Sequence, residues 1–254
     1  MDFHVPCSPP PRSLKLKKAK KISARLSFTS KALDPDEDDE VVHLDFDVKE
    51  ESEQDPELFE LIQHKPWLPD DRDQYDDELV YWYAKNKPES FRVRYDFETQ
   101  ENENCDQFPL NQVISLGASL RTVEAVVTAY PPALLYRHHV HKTSPLHSAC
   151  AFPSNFQAGV IDFLLDLSID SVRETDKDQF LPIHVACCAS VPSPIGLEAI
   201  QILVEAYPQS ILKTNKNGDT ASKVAKQNAD SLPDVISYLE EIEEHEQRLQ
   251  EEEQ

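Results

Sequence analysis

The chain is poor in the residues that build catalytic loops and covalent frameworks. It holds four glycines and five cysteines in 254 residues. So few glycines leave no Gly-rich phosphate loop and no nucleophile elbow, because both need backbone conformations that glycine adopts most readily. The cysteines form no Cys-x-x-Cys pair and are odd in number, so the sequence predicts neither a zinc framework nor a disulfide-rich secreted domain.

Long apolar runs are also missing. No stretch of about 18 apolar residues is present, and we therefore expect no membrane span. Asp2, His4 and Pro6 interrupt any apolar run at the start, so we expect no secretory signal either. Together with the unpaired cysteines, this predicts an intracellular protein, cytoplasmic or nuclear.

What the chain has in excess is negative charge, with a formal net charge of -22. That charge disfavours nucleic-acid binding and implies a partner with a mixed or basic surface. The charge is uneven, since residues 1–33 hold eight bases against Asp2, whereas residues 34–60 hold fourteen acids against Lys49. Both segments have too little apolar surface to fold, so we predict a disordered arm, basic and then acidic, over residues 1–55.

The arm carries three short patterns with open interpretations. The lysine-rich run 14–21 fits a nuclear import address, the acid-free stretch 3–33 fits an organelle transit peptide, and the simplest alternative is a solvated arm. Residues 41–44, an apolar run flanked by acids, resemble a SUMO-interacting motif, which adds a strand to its partner.

Beyond the arm, a motif of seven residues occurs twice. Residues 144–150 read SPLHSAC and residues 181–187 read LPIHVAC. A proline after a candidate cap residue marks a helix start, and we expect Ser144 and, in a later unit, Thr220 to act as caps. The apolar residues that share one face of these two short helices are Leu146, Ala149 and Cys150, and Ile183, Ala186 and Cys187.

A second helix follows each motif, and further copies appear in the same frame. Its apolar positions are Val160, Ile161, Leu164 and Leu165 in one copy, and Ile200, Leu203 and Val204 in the next. Units begin at residues 109, 145, 182 and 221. Such short helices need neighbours to bury their apolar faces. We therefore predict an all-α solenoid of about four helix pairs after a degenerate capping unit, over residues 56–245, with an acidic tail over 246–254.

This pattern resembles the ankyrin repeat, whose mark is Thr-Pro-Leu-His-x-Ala at the start of the first helix. Residues 144–149 nearly match it and residues 181–186 keep four of its six positions. The Ala-Tyr-Pro ends at 129–131 and 206–208 are similar to divergent, microalgal-type ankyrin-like repeats. The resemblance implies that the repeated histidines bond the backbone and that the cysteines three residues later fill the core. Another helical solenoid remains the alternative.

The family binds proteins through exposed hairpin tips and the adjoining first helices, so the resemblance also implies where a partner binds. By position, the tips are residues 137–142, 176–179 and 215–218. The first, with three histidines, fits an acidic partner, a pH response, a metal or a plain solvated loop. The candidate partner-binding residues are Arg137, His138, His139, His141, Lys142, Asp176, Lys177, Asp178, Lys216 and Asn217.

We therefore expect a monomeric, non-catalytic adaptor that binds another protein and needs no cofactor or metal. The alternative is a regulatory subunit that recruits a protein phosphatase, because Arg25-Leu26-Ser27-Phe28 resembles the basic-Val-x-Phe docking motif, with Leu26 in place of valine. A cluster of aromatic residues at 81–83 is expected to belong to the core of the capping unit.

Overall fold

The computed structural model describes residues 53–99, 104–151, 159–189, 195–228 and 233–252. All of them fall within one of the two compact units of the chain, Val42–Gln254. The predicted arm up to residue 52 lies outside the described residues. The import-like and transit-like stretches, the motif at 41–44 and the phosphatase-docking motif at 25–28 lie outside them as well.

The described chain is mostly helical. Its α-helices are α1 (Pro56–Ile62), α2 (Pro69–Arg72), α3 (Asp77–Asn86), α4 (Pro109–Ser115), α5 (Leu120–Ala129), α6 (Pro145–Ala151), α7 (Val160–Leu167), α8 (Pro182–Cys188), α9 (Ile195–Ala206), α10 (Ala221–Gln227) and α11 (Pro233–Glu252). Turns of 3₁₀-helix cover Pro88–Arg92, Pro131–Leu135, Ile169–Arg173 and Pro208–Leu212. The strands β1 (Tyr95–Glu98) and β2 (Asn104–Gln107) pair antiparallel.

Helix pairs recur in the predicted frame. The short helices α4, α6 and α8 each begin at a proline, and α10 begins at Ala221, so a helix begins at each of the four predicted positions. The short helices pack in series, α4 against α6, α6 against α8 and α8 against α10. Each of the first three pairs ends in a 3₁₀ turn, which leads into the connection to the next pair.

The predicted apolar faces form the core. A helix of seven residues is not stable alone in water, so the burial of these faces between neighbouring helices holds them in place. The residues named for both helices of the two clearest units are all buried: Leu146, Ala149, Cys150, Val160, Ile161, Leu164, Leu165, Ile183, Ala186, Cys187, Ile200, Leu203 and Val204.

The predicted cap at Thr220 is wrong, and Ser144 makes a different contact from the predicted one. The Ser144 hydroxyl lies 2.8 Å from Nδ1 of His147, because the imidazole folds back over the helix start and also accepts the Ser144 N–H (3.2 Å). Thr220 caps no N–H of its helix; its hydroxyl lies 3.2 Å from that of Ser222.

The β-hairpin and the length of the last helix also differ from the prediction. Tyr95 and Phe97 are buried while Asp96 and Glu98 are exposed, an alternation that marks a strand. Helix α11 continues to Glu252, so the predicted tail from residue 246 is helical over the part that the structure describes. Glutamate, glutamine and arginine are good helix formers, which favours this extension. No described helix is both long enough and apolar enough to cross a membrane.

Candidate binding surface

The second and third connections between units adopt one turn. In the structure the second tip covers residues 175–180, one more at each end than predicted, and Oδ1 of Asp176 accepts the N–H groups two and four residues further on, at 2.9 and 2.8 Å. The third tip likewise covers residues 214–219, and Oδ1 of Asn215 accepts the corresponding groups at 2.9 and 3.0 Å. A short side chain with an oxygen acceptor closes such a turn onto its own backbone. Asp176 and Asn215 therefore hold the tips in shape.

In the first tip, residues 137–143, a histidine takes this place. Nδ1 of His138 accepts the N–H groups two and three residues further on, at 3.2 and 2.9 Å. Because it serves the backbone, His138 is buried, only 4% exposed. The expectation that this imidazole lies open to a partner is therefore wrong. The first turn is also one residue longer, since its left-handed residue is Lys142, four positions on, whereas Gln179 and Gly218 lie three positions on.

The other edge of the His138 ring meets the hairpin. Its Nε2 contacts the thiol of Cys105 in β2, and its ring stacks on that of His139 with 5.3 Å between centroids. Burial, with positive charge nearby, lowers the pKa of His138 to about 4, and burial raises the pKa of the Cys105 thiol to about 12. The imidazole is therefore neutral at pH 7.

This arrangement does not activate the thiol. Nδ1 of His138 accepts backbone N–H groups, so the single proton of the neutral ring resides on Nε2 and points at the sulfur. A catalytic pair needs a basic ring nitrogen next to the sulfur and a lowered thiol pKa. Cys105 has neither, and the pair acts as a contact between the hairpin and the first tip.

The three tips are joined through their backbones. The N–H of Lys177 donates to the carbonyl of His141 (2.9 Å), and the N–H of Lys216 donates to the carbonyl of Asp178 (3.0 Å). These bonds connect each tip to the next through backbone atoms and involve no side chain. The tips therefore form one continuous ladder along the molecule.

Two side chains extend this ladder. The guanidinium of Arg137 donates to the carbonyl of Thr175 in the second tip and also to the carbonyl of Lys142 (3.2 Å). The hydroxyl of Tyr136 donates to the carbonyl of Asp106 in β2 (2.8 Å). Arg137 thus has a structural role in addition to any role in binding.

The exposed side chains of the ladder are mostly basic or polar. The residue after each turn acceptor is exposed, and it is His139, Lys177 or Lys216. The Lys216 ammonium lies 3.7 Å from the Asp178 carboxylate, an exposed pair that contributes little to stability. Of the ten candidate residues, six are exposed, namely Arg137, His139, Lys142, Lys177, Lys216 and Asn217; His141, Asp176 and Asp178 are half-buried, and His138 is buried.

The repeated histidines link each unit to the next. Nδ1 of His184 accepts the N–H of Leu181 (3.1 Å), and its Nε2 bonds the carbonyl of Lys213 in the turn beyond (3.1 Å). His147 bonds Ser144 in the same way and reaches the carbonyl of Phe180 (3.0 Å). Burial lowers the pKa of both imidazoles.

The cysteines that follow these histidines lie in the core. Cys150 and Cys187 are buried and unpaired, and burial raises the pKa of each thiol. Among the described residues, no three histidine, cysteine, aspartate or glutamate side chains converge as they would around a metal ion.

Asn111 stands where the other units have histidine. It follows Pro109 by two positions, as His147 follows Pro145 and His184 follows Pro182. It is buried, and neither its amide nitrogen nor its amide oxygen has a hydrogen-bond partner among the described residues. The shorter side chain therefore leaves out the link that histidine makes in the next two units.

The aromatic cluster at 81–83 is only partly core. Tyr83 is buried, but Trp82 is 48% exposed, so the expectation of a buried cluster is wrong for Trp82. Helix α3 has two apolar sides, one with Val80, Tyr83 and Ala84 and one with Leu79 and Trp82. The spacing of Leu79 and Trp82, three residues apart, was the sequence signal for this second side.

No protein-family model matches the chain, and no curated protein sequence matches it significantly.

Proposed function

We propose that this chain is a non-catalytic scaffold of ankyrin-like repeats, stacked as a helix-pair solenoid, that binds an acidic segment of another protein along its ladder of tips. One observation carries the proposal. Three tips of closely similar build are joined backbone to backbone and present His139, Lys177 and Lys216 at matching positions.

The basic side chains are not needed for the turns. The acceptors His138, Asp176 and Asn215 close them, so the hydrogen bonds that shape each turn do not come from the side chain that follows the acceptor. In a chain of net charge -22, a row of basic groups in those positions favours an acidic ligand. A ladder fixed by hydrogen bonds also loses little conformational entropy when a ligand binds.

The chemistry near the tips supports a binding role without catalysis. The Cys105–His138 contact has a raised thiol pKa and a lowered imidazole pKa, opposite to the shifts that an activated cysteine requires. His147 and His184 spend both ring nitrogens on hydrogen bonds within the repeats.

The test uses the full chain and a fluorescent glutamate-rich peptide, with binding followed by anisotropy at low and moderate salt. Changing His139, Lys177 and Lys216 together to serine should weaken binding about tenfold and reduce its salt dependence, because exposed charges act through long-range attraction. The melting temperature should stay within experimental error of the parent.

The matched control removes two exposed lysines from helices, as many formal charges as the tip variant loses at pH 7 with histidine neutral. Changing Lys85 and Lys226 to serine takes away charge of the same sign at residues outside the tips. Equal loss of affinity in both variants would show that only total charge matters and would contradict the assignment to the tips.

A further inference from the structure

A second candidate surface lies among the first helices that the structure describes. It is a shallow groove between α1 and α3 with a volume of about 420 Å³. Its walls are formed by Glu57, Glu60, Leu61, Leu79, Trp82 and Tyr83. The groove is separate from the ladder of tips, and its side chains are apolar and acidic, whereas the exposed side chains of the ladder are mostly basic or polar.

The floor of the groove is apolar and open to water. Trp82 is 48% exposed and Leu79 is 39% exposed, and the two lie one helical turn apart on α3. The Trp82 ring lies nearly perpendicular to the Tyr83 ring, at 5.4 Å between centroids, and about half of its surface stays exposed. Adjacent large apolar side chains on the outer side of a helix are typical of a contact surface. Tryptophan is also one of the residue types enriched among those that dominate binding energy.

The rim of the groove is acidic. The Glu57 carboxylate accepts hydrogen bonds from the Tyr83 hydroxyl (2.6 Å) and the Lys87 ammonium (3.0 Å), which fix its position. The hydrogen bond from Tyr83, followed by that from Lys87, lowers the pKa of Glu57, so it is ionised at pH 7. Glu60 is exposed and has no ion-pair partner among the described residues. With Lys87 included, residues 53–87 hold ten acids and four bases, a formal charge of −6.

This charge excludes several occupants. A second copy of the chain in a two-fold dimer would place the same acidic rims against each other. An anionic membrane surface or a nucleic acid would be repelled for the same reason. A small molecule would leave most of its surface in water, because the groove is shallow, whereas good ligand sites enclose most of the ligand.

We propose that the groove binds an amphipathic helical segment of a partner protein, whose apolar side chain covers Trp82 and whose lysines or arginines pair with Glu57 and Glu60. Two walls made of helices suit a helix laid between them, with anchors spaced three or four residues apart. This surface prefers the opposite charge to that of the tips and does not depend on them, so one chain joins a basic partner and an acidic one.

The experiment uses the full chain and two fluorescent model peptides, in which leucine at helical spacing alternates either with lysine or with glutamate. Anisotropy should show binding of the leucine–lysine peptide with a dissociation constant on the order of micromolar. Changing Trp82→Ala should weaken it about tenfold or more, and Trp82→Phe should restore much of the affinity. The affinity for the leucine–glutamate peptide should be the same in the parent and in Trp82→Ala.

Two further variants test the proposal without touching the packing of α3. Glu60→Lys should weaken binding of the leucine–lysine peptide and reduce the salt dependence of that binding. This variant tests the proposal even if Trp82→Ala lowers the stability of the chain. Ile169→Ala is the matched control, since Ile169 is 50% exposed but belongs to a different unit. Loss of affinity in Ile169→Ala equal to that in Trp82→Ala, or unchanged affinity in both Trp82→Ala and Glu60→Lys, would overturn the proposal. Self-association of the chain that Trp82→Ala abolishes would assign the groove to a second copy and would overturn it too.

Discussion

The first tip and the two that follow it reach closely related turns with different side chains. An imidazole, a carboxylate and an amide occupy the same place, at His138, Asp176 and Asn215, and each accepts two backbone N–H groups of its own turn. The position of an acceptor atom therefore matters more than the residue type. The choice of residue still has a consequence, because burial lowers the pKa of the His138 imidazole from its ordinary value near 6.5 to about 4.

The unit behind the first tip differs as well. Asn111 lacks the link to the next connection that His147 and His184 make, and its amide is left without partners among the described residues. At the same connection the hairpin is fastened through Cys105 and Tyr136. The first connection is thus bonded to the β-hairpin, whereas the next two are bonded to the histidines of the short helices.

The largest expected effect is on pH dependence. The folded-state pKa of His138, about 4, lies below its ordinary value, so the unfolded chain binds more protons between pH 6.5 and 4. Stability contributed by the neutral ring is present above pH 6.5 and is lost as pH falls through 4, by about 3 kcal/mol in total. Denaturant titrations across this range should show a steeper decline for the parent than for His138→Asn. Parallel curves for the two proteins would contradict a buried neutral His138.

A second experiment gives a later unit the residue of the first. His184→Asn should lower the free energy of unfolding by about 2 kcal/mol, because the N–H of Leu181 and the carbonyl of Lys213 lose a buried partner. Chemical denaturation measures the difference. His139→Asn is the control, since an exposed histidine with no such role should change stability by less than about 0.5 kcal/mol. Similar values for both would mean that the buried link adds nothing.

The reverse change sharpens the same comparison. Asn111→His should raise the free energy of unfolding by about 1 kcal/mol. The Asn111 amide has no hydrogen-bond partner among the residues that the structure describes, whereas the longer histidine side chain should reach the connection to the next unit and bond it. Thermal and chemical unfolding should agree on the sign. A clear loss of stability would show that the space above Asn111 is too small for an imidazole and that the hairpin has replaced the link.

The smallest expected effects concern the left-handed residue of each turn. Gln179 has a φ of 61°, where a side chain is disfavoured, so Gln179→Gly should stabilise the chain by about 0.5–1 kcal/mol. Gly218→Ala should cost about as much in the other direction, since a Cβ at Gly218 meets no atom within 4 Å and only backbone strain remains. Opposite signs in the two melting curves check the pair. Equal signs would mean that the turns differ in more than this residue.

The sequence predicted the helix frame well because periodic burial determines it. Helices begin at residues 109, 145, 182 and 221, where the repeated helix-start pattern placed them, and the apolar faces behind them follow from spacing. The hairpin was missed because its strands are four residues long and carry acids on their outer side, which resembles a polar loop. Its buried Tyr95 and Phe97 were the available signal.

The candidate site was predictable only in part. Position in the repeat identified the tips, and six of the ten candidate residues are exposed. Position did not predict the burial of His138. Nothing in a run of three nearby histidines indicates which imidazole faces inward and accepts backbone N–H groups. Position also failed for Trp82, since an aromatic run near a capping unit does not reveal which ring faces water.

The unpaired cysteines make this protein its own reporter of local opening. Cys105 lies in the hairpin, Cys150 in the unit of α6 and Cys187 in the unit of α8, all buried, while the neighbouring Cys188 is exposed. An alkylating reagent should therefore modify Cys188 before Cys105, Cys150 and Cys187, each of which should react at the rate at which its own segment opens. Peptide mapping after timed alkylation would then rank the segments by their opening free energies, without any engineered label.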